Sequence, residues 1–162
     1  MKKLLIILTS LVTLFACSKA NKNMVKYSPK NTIIIELHSG NNGGFKEETN
    51  QVITNKTEFE KIWKQAYANY MIKEETPEVD FEKNIVLLVA MGEKPSGGHT
   101  IKITNATETS NNTIVNVLNT SPGKGCMTTE SITYPFQIVQ LEKPKTHIDF
   151  KVTKKVIDCE SK

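Results

Sequence analysis

The sequence predicts an α+β domain, a mostly antiparallel sheet of about seven strands carrying one amphipathic helix. Three observations lead there. Short apolar runs with period-two alternation recur along the chain, separated by clusters of Gly, Pro, Asn and Ser. A single stretch, Thr57 to Met71, carries helical spacing instead. With 162 residues, 38% hydrophobic and 23% charged, the chain suits one ordinary globular domain and neither a disordered chain nor a polytopic membrane protein.

The first strand is expected over Thr32 to Leu37, which holds three consecutive isoleucines, and Ser39-Gly40-Asn41-Asn42-Gly43-Gly44 follows as a turn by composition. A short second strand falls around Gln51 to Thr54. From Thr57, the residues Phe59, Ile62, Trp63, Ala66, Tyr67, Tyr70 and Met71 line one helical face. Thr57 with Glu60 makes a capping box, and Pro77 lies beyond the polar stretch Lys73 to Thr76 that ends the pattern. Trp63 stands mid-stripe and is expected in the core. Asp80-Phe81 then leads into Ile85 to Met91, a continuous apolar run of strand length that belongs at the centre of a sheet. His99, Ile101 and Ile103 share one face of the next strand, and Ser110-Asn111-Asn112 turns the chain into Val115 and Val117. Ile132, Tyr134, Phe136 and Ile138 alternate again, and Ile148, Phe150 and Val152 form a last strand after the turn at Pro144.

Ahead of this domain stands an export signal. Met1, Lys2 and Lys3 precede a short apolar run, Leu4 to Phe15, too short to span a bilayer, for which roughly 20 residues are needed. Leu14-Phe15-Ala16-Cys17 resembles the bacterial lipobox, which implies cleavage after residue 16 and acylation of Cys17. Two or three acyl chains make a stable anchor at about 0.8 kcal/mol per buried methylene. The expected organisation is a lipoprotein signal peptide at 1–16, a lipidated tether at 17–31 containing Pro29, and a single domain at 32–162. Ser18 after the lipidated cysteine points to the outer membrane. Lipidation leaves Cys126 and Cys159 as a pair in an oxidising compartment, where a disulfide is expected; two free thiols are the competing reading.

The formal charge of +4 says little about partners, since Lys2 and Lys3 fall in the leader and the rest of the lysines are dispersed. The absence of arginine says more. Its planar fork is the usual reader of phosphates and guanine edges, so nucleic-acid recognition is not expected. The histidines His38, His99 and His147 are far apart and fit no short metal spacing, and no cofactor or metal is expected. Ser96, in Lys94-Pro95-Ser96-Gly97-Gly98, lacks the first glycine of a GxSxG elbow and reads as a turn serine. Ser96, His99 and Glu93 are the only clustered candidates for an enzyme, and no catalytic set is expected.

Two glycine and proline loops stand out, Gly92 to Gly98 and Ser121 to Cys126. Neither has the order of a phosphate loop, so they read either as tight turns or as a rigid surface that contacts a partner. Met91-Gly92-Glu93-Lys94-Pro95-Ser96-Gly97-Gly98-His99-Thr100-Ile101, then Ser121-Pro122-Gly123-Lys124-Gly125-Cys126-Met127, then Tyr134-Pro135-Phe136-Gln137-Ile138-Val139, resemble the C-terminal domain of the PrcB family. That family is named for a lipoprotein subunit of a bacterial surface protease complex. The resemblance covers roughly the second half of the chain, with His99 where an aromatic residue is usual. It implies a non-catalytic envelope lipoprotein that binds and assists or stabilises a partner, a protease among the candidates. The contact residues would be Glu93, Lys94, Pro95, Ser96, Gly97, Gly98, His99, Pro122, Gly123, Lys124, Tyr134, Pro135 and Phe136. The loop order is also similar to that of chagasin-like protease inhibitors, although residues and spacings differ. A structural or ligand-binding lipoprotein is a further alternative, and it would need Tyr67, Tyr70 and Tyr134 to face solvent.

Overall fold

The computed structural model describes residues 28–160. The expected signal peptide, Cys17 and the expected tether up to residue 27 lie outside the described residues. The elements in chain order are β1 (Lys30–Asn31), β2 (Ile34–Gly40), β3 (Glu48–Ile53), α1 (Lys56–Ala66), β4 (Asn84–Met91), β5 (Thr100–Glu108), β6 (Asn112–Pro122), β7 (Phe136–Glu142) and β8 (His147–Ile157). The strands form two four-stranded sheets, ordered β2-β7-β4-β3 and β1-β5-β6-β8. Every pairing is antiparallel except β6 with β8. Among the described residues, the α+β class and the single helix agree with the sequence, with eight strands rather than about seven, divided between two sheets.

The division follows from β4. Successive side chains of a strand point to opposite faces, and this strand is apolar on both. Ile85, Leu87, Val89 and Met91 pack with Ile101, Ile103, Val115 and Val117 of the second sheet. Val86, Leu88 and Ala90 pack with Phe59, Ile62, Trp63 and Ala66 of α1. The run Ile85 to Met91 is therefore the middle layer of a helix–sheet–sheet stack, buried from both sides, and Trp63 is core.

Several boundaries move. The eighth strand, β1, lies where a tether was expected, because Lys30 and Asn31 pair with Glu108 and Thr107 at the edge of β5. The helix is capped by Asn55, two residues before Thr57. Asn55 has extended backbone, φ −146° and ψ 157°, and its side-chain oxygen accepts the Glu58 N–H at 2.9 Å. Glu58 reaches back to the Asn55 side-chain amide at 3.3 Å, closing the reciprocal pair two residues earlier than the sequence suggests. The helix ends at Tyr67, which leaves Tyr70 only half-buried and Met71 fully exposed. Ile132 also falls outside any strand, since β7 begins at Phe136, and it is 54% exposed.

One buried polar link crosses between the sheets. Gln137 of β7 is buried; its side-chain oxygen accepts the Ile103 N–H at 2.7 Å and its amide donates to Glu36 of β2. Both strands it reaches are irregular there, β5 between Ile103 and Asn105 and β2 between Glu36 and His38. A bulge frees a ladder group, and Gln137 gives the Ile103 N–H its partner. The Glu36 carboxyl is held below the usual carboxylate range by the hydroxyl of Ser39 and then by this amide.

The strands run between two poles. Lys30, the start of β4 at Asn84 and the end of β7 at Glu142 share one, marked by the Lys30–Glu142 ion pair at 3.1 Å. Met91, Gly40 and Phe136 lie at the other. The location of the cap is testable by urea unfolding: Asn55→Ala should cost about 1 kcal/mol, whereas Thr57→Ala should stay within about 0.5 kcal/mol of the parent.

Candidate functional site

The three loop segments meet at the pole opposite Lys30. Lys94 and Thr133 exchange backbone hydrogen bonds, Lys94 N–H to Thr133 O at 2.8 Å and Thr133 N–H to Lys94 O at 2.9 Å. The Thr133 hydroxyl donates to the Ser96 carbonyl at 2.8 Å, and the Gly97 N–H donates to Thr129 O at 3.0 Å. Tyr134 is held from the other side, its N–H donating to Asn41 O at 2.8 Å and its carbonyl accepting from Gly43 at 3.2 Å. Its hydroxyl donates to Glu93 Oε2 at 2.9 Å, which pushes the phenol upward, since ionising it would lose that bond beside a carboxylate.

Two glycines make the approach possible. Gly92 has φ +71°, and a Cβ there would stand 2.9 Å from both the Glu48 nitrogen and the Lys46 carbonyl oxygen. Gly98 has φ +82° and lies against the ring of Pro122, which brings the second loop beside the first. That second loop is fastened to the end of β8. Gly123 N–H donates to Ile157 O at 2.7 Å, Lys124 N–H to Asp158 Oδ1 at 2.8 Å, and Cys159 N–H to Lys124 O at 2.8 Å. Cys126 and Cys159 stand at disulfide distance, with Cα atoms 4.8 Å apart.

The structure thus gathers Glu93, Lys94, Ser96, Gly97, Gly98, His99, Pro122, Gly123, Lys124 and Tyr134 at one end, with Pro95 exposed among them. Pro135 and Phe136 are the corrections. Both are buried, Phe136 at 1% exposure, because β7 starts there and the ring turns toward Phe45 and His38. Among the apolar side chains this pole does offer are Met127, fully exposed, and Ile132. Sequence reading placed Ile132 in a strand and left Met127 out of the contact set. Thr133 and Ser121 were also missed, since nothing local marks a threonine that bonds a loop 37 residues earlier.

The would-be catalytic trio is not connected. Ser96 Oγ donates to its neighbour's carbonyl, Gly97 O, at 3.2 Å, His99 Nδ1 pairs with Ser121 Oγ at 3.1 Å, and Glu93 takes the Tyr134 hydroxyl. His99 is pushed below its ordinary value by burial and then by the charge of Lys94, which favours the neutral ring. No group of three or more His, Cys, Asp or Glu with metal-holding geometry occurs among the described residues. Trp63 and Tyr67 are buried, so they offer no exposed aromatic platform for a ligand.

Strands β4 to β7 and all three loops form one continuous stretch of chain. Residues 85–142 match the family model PrcB C-terminal. The matched segment runs from the second residue of β4 to the last of β7 and contains every loop motif that carries the resemblance. The helix, β8 and Cys159 lie outside it. No curated protein and no solved structure matches the chain.

Two measurements follow from this geometry. Replacing both Cys126 and Cys159 by alanine should cost about 3–4 kcal/mol in denaturant unfolding, because the bond closes a separation of 33 residues. Acid should also destabilise the fold through its histidines. His38, boxed by Trp63, Tyr67, Tyr70 and Phe136, and His99 are both lowered from 6.5, chiefly by burial. The unfolded chain therefore binds protons first, so this stability is fully present above pH 6.5 and is lost as pH falls below it toward the folded values. Melting temperature followed from pH 7.5 down to about 5 should decline, and the His38→Phe, His99→Gln double variant should flatten that decline; Glu36 contributes only further down, below 4.5.

Proposed function

We propose that this protein is a non-catalytic accessory subunit, anchored to the bacterial outer membrane through lipid on Cys17, that binds and assists or stabilises a partner protease. The observation that carries the reading is the convergence of three loops, far apart in sequence, at the pole opposite Lys30. Backbone hydrogen bonds hold them at fixed positions, so little ordering entropy is spent when a partner docks. Met127 and Ile132 supply the apolar surface and the rim is polar, with Glu93, Lys94 and Lys124. The PrcB C-terminal match to residues 85–142 supports a protease-associated role. A lipid on Cys17, upstream of the Lys30 pole, would leave the loops facing away from the membrane. The unconnected Ser96, His99 and Glu93 support a role without chemistry of its own.

The test is site-specific photo-crosslinking of the full-length protein in native envelopes, read by mass spectrometry. Probes at Lys94 and Met127 should capture one protease, whereas a probe at Lys83 on the other pole should not. Recovery of only itself and general envelope proteins would overturn the reading in favour of a structural or ligand-binding lipoprotein. The captured protease should lose activity or abundance when the loop pole is altered; a gain in activity would make the protein an inhibitor instead.

A further inference from the structure

The second sheet ends on a strand with one neighbour. β8 is 11 residues long, stands last in the order β1-β5-β6-β8, and pairs along its whole length with β6 alone. Its other edge has no backbone partner among the described residues. The direction of its groups follows from one bond. Ile157 gives its carbonyl to Gly123 on the β6 side, and in a strand the N–H and C=O of a residue point the same way while alternate residues point oppositely. The N–H and C=O groups of Ile148, Phe150, Val152, Lys154 and Val156 therefore face the open edge.

Charge decides what this edge accepts. Lys151, Lys154 and Lys155 outnumber Asp149 on β8, and all are exposed. Lys154 is tied at 3.3 Å to Glu48, leaving Lys151 and Lys155 without an ion-pair partner among the described residues. Lysines guard a bare edge against strands that resemble it, and a second copy of this chain would bring the same excess of lysine. An acidic strand is attracted instead. The upper end of the edge, Val156 and Ile157, is apolar, exposed and fastened to the second loop through Cys159, so it adjoins the loop pole.

We propose that the open edge of β8 binds an extended acidic segment of a partner protein as an added strand. Backbone hydrogen bonds to Phe150, Val152, Lys154 and Val156 hold the segment, and Lys151 and Lys155 select its charge. The proposal deepens the partner-binding reading and supplies a contact outside the PrcB C-terminal segment. It rests on that reading only for the occupant being part of a protein.

The experiment uses the full chain in detergent and a nine-residue peptide alternating Glu with Val and Thr, followed by amide NMR with hydrogen exchange. Binding should slow exchange at Phe150, Val152, Lys154 and Val156, with no comparable change at Thr153 and Lys155, which already face β6. Lys154→Pro removes an N–H that faces the open edge, and it should weaken the peptide at least about tenfold while leaving the β6–β8 amides protected. Lys151→Glu with Lys155→Glu should do the same by charge and reverse the preference toward a Lys-containing peptide. Absence of binding, binding indifferent to Lys154→Pro, slow exchange at these edge amides before peptide is added, or a dimer formed through β8 would each overturn the proposal. A protease captured at Lys94 but never at Lys151 would overturn it while leaving the loop reading intact; capture at neither would remove both.

Discussion

The whole arrangement depends on one strand being buried on both sides. A lone antiparallel sheet can leave one face to water, and its strands then alternate apolar with polar. β4 has no polar face to give, from Ile85 to Met91. Something must cover each side, and two different elements do: α1 on one, the β5–β6 hairpin on the other. Both sets of contacts share the same backbone, so losing either cover would expose a row of aliphatic side chains.

Once the layers exist, polar groups have to be reconciled between them. Gln137 shows how. It sits on β7, next to β4, where both surfaces are apolar, yet it is polar and buried. An unpaired buried amide would cost about 1–3 kcal/mol, and both ends of this one are used, by the Ile103 N–H and the Glu36 carboxylate. The link joins strands of different sheets at the points where each departs from regular pairing. It therefore sets how the sheets register on one another as well as satisfying itself.

That registration builds the loop pole. Gly92 leaves the end of β4 beside the Glu48 backbone, and the chain then pairs Lys94 with Thr133, which belongs to the approach to β7. Since β4 and β7 are adjacent, their connecting loops are adjacent too. β8 arrives separately, parallel to β6, and its bonds to Gly123 and Lys124 bring the second loop under the same control. The pole is rigid because three strand ends hold it, and it faces away from Lys30 because β4 and β7 each cross the sheet from pole to pole.

By itself the sequence determined the elements whose signal is local. Period-two runs named most of the strands, helical spacing named α1 and put Trp63 in the core, and the three loop motifs carried the resemblance that the PrcB C-terminal model matches over residues 85–142. What it misplaced were features that a few residues cannot encode. Asn55 rather than Thr57 caps the helix because the extended backbone at 55 puts its side chain over the Glu58 N–H. Phe136 is core and Ile132 is exposed because β7 begins four residues later than the alternation suggests, and alternation looks the same in a strand and in the extended chain leading to it. Only the tertiary structure divided the strands into two sheets, ran β8 parallel to β6, and brought Thr133 to Lys94. Each of those is a pairing between segments tens of residues apart, chosen by which apolar faces can be buried together, and no single stretch of sequence contains that choice.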